Sequence, residues 1–161
     1  MEWKSLSDLK AFVKSRQTYI QLISSLLAAL FVYTGLNKML DYEVFRSQLG
    51  RSPFIESFAG LTSATLPSFE LAIAALLCLP ATRLLGLYLS FGLMCLFTGY
   101  IYIMLTYAYD LPCSCGGVLA ALSWKDHLIF NIAFTALSAI AVLLYPVRAR
   151  PNFTVASVAH T

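Results

Sequence analysis

The sequence predicts an all-α membrane protein: a four-transmembrane-helix antiparallel bundle with short amphipathic surface helices. Three observations carry this expectation. Of the 161 residues, 59% are hydrophobic and 12% charged, where a soluble domain carries roughly 25% charged residues. The charges cluster between apolar runs instead of alternating within them, which is the patterning of membrane embedding and not of a large soluble core. Four of the runs approach the ~20 residues that a helix needs to cross a bilayer, and their short connections suit antiparallel neighbours in a single membrane domain over residues 1–161.

The elements follow in order. Residues 5–14 open with a Ser-x-x-Asp pattern, Ser5 and Asp8, and place Leu6, Leu9 and Phe12 or Val13 at helical spacing, predicting a short amphipathic helix on the membrane surface. The first span is expected over residues 19–36 and, lacking an Ala-x-Ala cleavage site, as a retained helix. Residues 41–60 mix Phe45, Leu49, Phe54, Ile55 and Phe58 with Glu43, Arg46, Arg51 and Glu56. That segment is too polar to span, and Pro53 divides it into two predicted amphipathic helices. The second span is expected over residues 61–79, with Pro67 tolerable near the helix start, and the run from Pro80 to Arg83 reads as a tight turn. The third span, residues 84–107, ends among Tyr100, Tyr102, Tyr107 and Tyr109, the composition of an interfacial aromatic belt. Ser123 and Asp126 form a second Ser-x-x-Asp start, and the fourth span runs over residues 127–145 until Pro146 stops it. A polar tail occupies residues 148–161.

Between the third and fourth spans lies Leu111-Pro112-Cys113-Ser114-Cys115-Gly116-Gly117. Cysteines one residue apart close only a tight ring, and the two glycines permit the turn this requires. A strained bridge is more easily reduced and favours exchange over permanence. Orientation comes from the 11 Lys and Arg: Lys4, Lys10, Lys14, Arg16, Arg83, Arg148 and Arg150 fall on one side, and Lys38, Arg46, Arg51 and Lys125 on the other. The excess predicts both termini in the cytoplasm. The Cys-x-Cys loop then faces outward, which in a bacterium is the periplasm, where disulfides persist. Cys78 and Cys95 are expected as small buried apolar residues more than ~15 Å apart along the membrane normal, unpaired with each other or with the loop.

Glu70, an acid inside an apolar span, is a functional candidate by default, as a proton carrier or a contact for a quinone headgroup. Its structural alternative is a hydrogen bond within the bundle, to Thr98 or a tyrosine hydroxyl of the third span. Trp124 and His127 flank the loop at the membrane boundary as further candidates, with plain solvation as the bland reading of His127. No metal site is expected, because Cys113, Cys115 and His127 have the wrong spacing for a closed tetrahedral set. The basic residues sit beside spans and not on a soluble face, which argues against nucleic acid.

The run Leu36-Asn37-Lys38-Met39-Leu40-Asp41 with an amphipathic stretch after it, Glu70 in the second span, and Cys113-Ser114-Cys115-Gly116-Gly117 before the last span resemble the MauE branch of the DoxX-like membrane proteins, over roughly Tyr19 to Tyr145. The resemblance implies thiol–disulfide chemistry beside a thioredoxin-like partner, in a shape similar to the vitamin K epoxide reductase and DsbB-type oxidoreductases. Those enzymes use two extracytoplasmic cysteine pairs, whereas this chain has one. The expected function is a membrane-embedded thiol–disulfide redox protein of the bacterial inner membrane. It would act at the periplasmic face through Cys113 and Cys115 with a thioredoxin-like or substrate protein, and with quinone as the candidate cofactor. The alternative is a non-catalytic structural or assembly subunit of an envelope complex, in which a static Cys113–Cys115 bridge shapes a docking loop.

Overall fold

The computed structural model describes residues 6–52, 54–107 and 123–146, and among them the chain is helical without strands. Helix α1 covers Leu6–Leu40, α2 Tyr42–Gly50, α3 Ala59–Cys78, α4 Arg83–Tyr107 and α5 Trp124–Leu144, with a 3₁₀ turn at Glu56–Phe58 leading into α3. Four segments are long and apolar enough to cross a membrane: Ser15–Leu40, Glu56–Cys78, Arg83–Tyr107 and Trp124–Leu144. Large apolar side chains cover their outer surfaces, including Leu96 at 71% exposure and Leu143 at 79%. A helix that is hydrophobic on its outside as well as its inside is solvated by lipid.

The bundle is antiparallel. Arg16 of α1 donates to the Leu143 carbonyl of α5 (3.4 Å), while Gly35, almost twenty residues further on, lies against Pro67 and Leu71 of α3. Thr98 of α4 meets Thr135 of α5 at 3.1 Å. Helices α1 and α4 therefore end, and α3 and α5 begin, at the same end of the bundle. Gly86 allows the tightest approach, since a Cβ there would stand 3.0 Å from the Leu77 backbone nitrogen across the α3–α4 turn. That turn is closed by Thr82, whose hydroxyl donates to the Leu76 carbonyl (3.0 Å), and by Arg83, whose Nε donates to the Leu77 carbonyl (3.2 Å). These side chains satisfy carbonyls that the end of α3 would leave open.

Several expectations are corrected. The surface helix over residues 5–14 and the span over 19–36 are one continuous helix from Leu6 to Leu40, because neither Pro nor Gly interrupts the run before Gly35. The second amphipathic helix of residues 41–60 is a single 3₁₀ turn feeding α3. Pro67 lies well inside α3 and is buried; its ring nitrogen cannot donate to the Ser63 carbonyl one turn back, and α3 continues through it where its backbone comes close to Gly35 of α1. Cys78 and Cys95 are free, as expected, but both face outward. In a bilayer an outward thiol is as well accommodated as an inward one, so burial pressure does not choose its face. Tyr100 leaves the belt and turns inward to donate to Ser52 (2.9 Å).

Polar side chains in the spans are quieted locally. Ser90, Thr98 and Thr106 each donate to the carbonyl four residues back at 2.7–2.8 Å, which removes a free donor from a medium without water. The Thr135 hydroxyl, 2.8 Å from the Asn131 carbonyl and 3.1 Å from Thr98 Oγ1, has one proton for the two and makes the interhelical bond when it donates to Thr98.

Candidate functional site

At the end of the bundle where α1 and α4 finish, the four spans enclose a cavity of about 530 Å³. Helix α2 and Ile55 close it from above through Phe45, Gln48 and Leu49. Each span supplies a stripe at helical spacing: Phe31, Thr34 and Lys38 from α1; Thr62, Leu66 and Glu70 from α3; Met94, Phe97 and Tyr100 from α4; Trp124, His127 and Asn131 from α5. The i, i+3 and i+4 repeats put these residues on the inner face of each helix.

The roof is attached by hydrogen bonds. Ser52, with no exposed surface, accepts from the Tyr100 hydroxyl and directs its own hydroxyl at the Met104 sulfur (3.6 Å). The Ser52 carbonyl accepts from the Ile55 and Glu56 amides at 3.2 and 3.0 Å. The corner after α2 is thereby fastened to α4.

Inside the cavity, Lys38 Nζ stands 2.6 Å from Glu70 Oε1; the lysine is 22% exposed and the glutamate 0%. The pairing follows from helix geometry. Side chains lean toward the N-terminus of their own helix. Lys38 on α1 therefore leans inward from the bundle end, and Glu70 on antiparallel α3 leans outward to meet it. The ammonium also lies 5.6 Å from the Phe97 ring centroid and 5.8 Å from that of Phe45, within the range of cation–π attraction. Among the described residues this is the ion pair that neutralises the acid inside the span, in place of the hydrogen bond expected to Thr98 or a tyrosine. Thr98 instead bonds Thr135 and the Met94 carbonyl.

Three polar atoms on the lining are buried without a hydrogen-bond partner: Glu70 Oε2, Asn37 Nδ2 and His127 Nδ1. The Thr34 hydroxyl stands beside the Glu70 carboxylate and 3.5 Å from the Phe31 carbonyl, so its one proton can turn to either. Asn131, 4% exposed, donates to the His127 carbonyl at 2.9 Å. Trp124 and His127 stack with ring centroids 6.4 Å apart. Their helix is started by Ser123, whose hydroxyl oxygen accepts from the Asp126 amide at 3.2 Å, so the second Ser-x-x-Asp start is a true N-cap.

Glu70, Trp124 and His127, singled out separately in the sequence, thus line one cavity. Cys113 and Cys115 lie outside the described residues. Asn37, Lys38 and Asn131 escaped the sequence reading as site residues. The signal for Asn131 was present: it is a polar residue in an apolar span four positions after His127, on the same helical face.

A sequence-family model described as methylamine utilisation protein MauE matches residues 16–145. The chain belongs to the MauE family. It is a membrane protein with four apolar helices, and the MauE match takes in all four spans, the roof and the cysteine segment. No curated protein and no solved structure matches the chain.

Proposed function

We propose that this MauE-family protein is a thiol–disulfide redox protein of the bacterial inner membrane, exchanging disulfides at the periplasmic face through Cys113 and Cys115 with a thioredoxin-like or substrate protein. The observation that carries this reading is the cavity's position. It lies toward the bundle end where α4 stops and α5 starts, beneath the roof, so the Cys-x-Cys segment is joined at both its ends to the same end of the bundle as the buried Lys38–Glu70 pair. Glu70, Trp124 and His127 are the groups proposed to meet a proton or a quinone headgroup there. The Lys and Arg excess at the opposite end supports cytoplasmic termini.

The exchange is chemically complete with one cysteine pair and a visiting disulfide. One thiolate attacks a sulfur of the partner disulfide, forming a mixed disulfide and releasing a partner thiolate. The second cysteine, as its thiolate, attacks the mixed bond, closing Cys113–Cys115 and releasing the partner dithiol. Reversal oxidises the partner. Because the chain lacks a second pair in the loop, electrons reach or leave it through a separate molecule.

Alkylation trapping tests the proposal. Under mild reductant the Cys113–Cys115 pair is expected to open and be alkylated, and Cys115→Ser or Cys113→Ser is expected to hold a mixed disulfide with a thioredoxin-like protein. A pair that resists mild reductant and yields no mixed disulfide with either variant sinks the redox reading and leaves a static bridge in an assembly subunit.

A further inference from the structure

The lining of the cavity is selective in a way its volume is not. A volume of about 530 Å³ falls in the range of ordinary ligand pockets, roughly 300–1,000 Å³. Its walls are mainly apolar and aromatic, with Phe31, Phe45, Phe97, Phe130 and Trp124 among them. Leu96 lines it and is 71% exposed on the outer surface of α4, so the cavity reaches the lipid-facing flank of the bundle. A hydrophobic tail can therefore leave toward the bilayer while a flat headgroup stays between the aromatic rings.

The polar atoms define the headgroup. Glu70 Oε2, on a carboxylate whose other oxygen is held by Lys38, is an acceptor without a donor. Asn37 Nδ2 is a donor without an acceptor. The Lys38 ammonium has three N–H groups and, among the described residues, one hydrogen bond, to Glu70. A ligand that satisfies this set must both donate and accept hydrogen bonds from a flat, lipid-soluble body. An oxidised quinone has carbonyl oxygens only; it can accept from Asn37 or Lys38 but leaves Glu70 Oε2 buried and unmet. A quinol carries two hydroxyls, each able to donate and to accept. Leaving a buried acceptor unsatisfied is what makes sites of this kind reject a ligand that lacks the matching O–H.

From this we infer that the cavity is a redox-state-selective site for a membrane quinol, with Glu70 Oε2 accepting from one hydroxyl and Asn37 Nδ2 donating to a hydroxyl oxygen, so that the quinol binds more tightly than the quinone. This rests on the redox reading above and deepens it by assigning which redox state of a quinone the cavity prefers and the polar atoms that select it. Preferential binding of the reduced form raises the reduction potential of the bound couple by ~30 mV for each tenfold difference in affinity. That is the direction that favours acceptance of the two electrons and two protons a dithiol releases on closing to a disulfide.

The test uses the full chain in lipid nanodiscs, carrying Cys113→Ser and Cys115→Ser so that no thiol chemistry consumes the probe. Decylubiquinone and, anaerobically, its quinol are titrated by calorimetry. The quinol is expected to bind about tenfold or more tightly than the quinone. Asn37→Leu is expected to weaken both forms. Lys38→Met combined with Glu70→Met, which removes both charges and leaves no lone buried ion, is expected to bring the two affinities to within about twofold of each other. Equal or tighter binding of the quinone, no binding of either form, or a quinol preference that survives the double substitution each overturns the inference. Because the cysteines are absent from this experiment, its outcome is separate from that of alkylation trapping: the exchange reading can fail while the quinol site stands, and the reverse.

Discussion

The two halves of the bundle are built from the same kinds of helices and packed to different ends. In the half away from the cavity, Leu27, Ile73, Leu77 and Leu87 have at most 1% of their surface exposed, with Ala74 and Ala141 beside them. Small residues let the backbones close up there, as Gly86 does against Leu76 and Leu77. In the other half the same four helices stand around an open volume lined by Lys38, Glu70, Asn37, Asn131 and His127. Lipid gives helices no hydrophobic reason to associate, so contact area and interhelical polar bonds must do it. The closed half uses contact area. The cavity half gives up contact and is joined by the Lys38–Glu70 pair, the Thr98–Thr135 bond and the Ser52–Tyr100 bond.

That contrast breaks most visibly at the ion pair. Glu70→Leu alone leaves the Lys38 ammonium inside the bundle without its counter-ion, and removing one partner of a buried pair costs about 3–5 kcal/mol. Lys38→Met alone is expected to cost a similar amount. Replacing both by apolar residues of similar size is expected to restore most of the loss, since the paired charges are themselves expensive to bury. Reversible unfolding of the reconstituted protein, followed by helical circular dichroism, measures all three. A double variant as unstable as the sum of the singles would show that the two side chains stabilise the cavity half independently of each other.

In the closed half the corresponding experiment is Leu77→Ala. Leu77 is fully packed, and deletions of buried leucine cost about 2–5 kcal/mol, with the cavity left behind adding to the loss. Leu66→Ala, on a side chain that already borders empty space, is expected to cost about half as much or less, because fewer neighbours lose contact. Equal losses at the two positions would mean that the volume beside Leu66 is filled and well packed in the membrane.

How far the sequence foretold this contrast differs by element. The four spans, their antiparallel order and the Ser123 cap were readable because length, charge placement and capping chemistry are local properties. The acid at Glu70 was readable because a carboxylate in an apolar run is conspicuous. Its partner was not: a lysine near the end of a span reads as an orientation charge, and only the opposed lean of α1 and α3 shows that Lys38 turns inward. The faces of Cys95 and Tyr100 were unreadable for a related reason. Helices apolar on every side carry no period that separates the lipid face from the bundle face, so which polar atoms share a cavity emerges only once the helices are assembled.

The roof of the cavity offers a smaller test. Ser52→Ala removes the acceptor for the Tyr100 hydroxyl and is expected to cost about 0.5–1.5 kcal/mol. The effect should be local, read as faster amide exchange over α2 (Tyr42–Gly50) with α3 and α4 unchanged. Faster exchange spread across the whole bundle would show that the corner at Ser52 holds more than the roof.

A pair of effects of opposite sign, the second of them the smallest, separates close helix approach from helix propensity. A methyl at Gly86 would meet the Leu77 backbone at 3.0 Å and the Leu76 backbone at 3.1 Å. Backbone cannot swing aside as a side-chain tip can, so Gly86→Ala is expected to push α3 and α4 apart at the closed half and to cost about 1–3 kcal/mol. Gly92, six residues along α4, has nothing within 4 Å of the same position. There the methyl enters open lipid-facing space, and the gain is the reduced backbone freedom of the unfolded chain, about 0.5–1 kcal/mol of stabilisation. The two variants differ by one methyl each on one helix, so their difference in unfolding free energy isolates the packing contribution of the α3–α4 contact. If both changes stabilise, the approach of α3 to α4 at Gly86 is loose enough to admit a methyl group, and close packing is not what distinguishes the closed half from the cavity half.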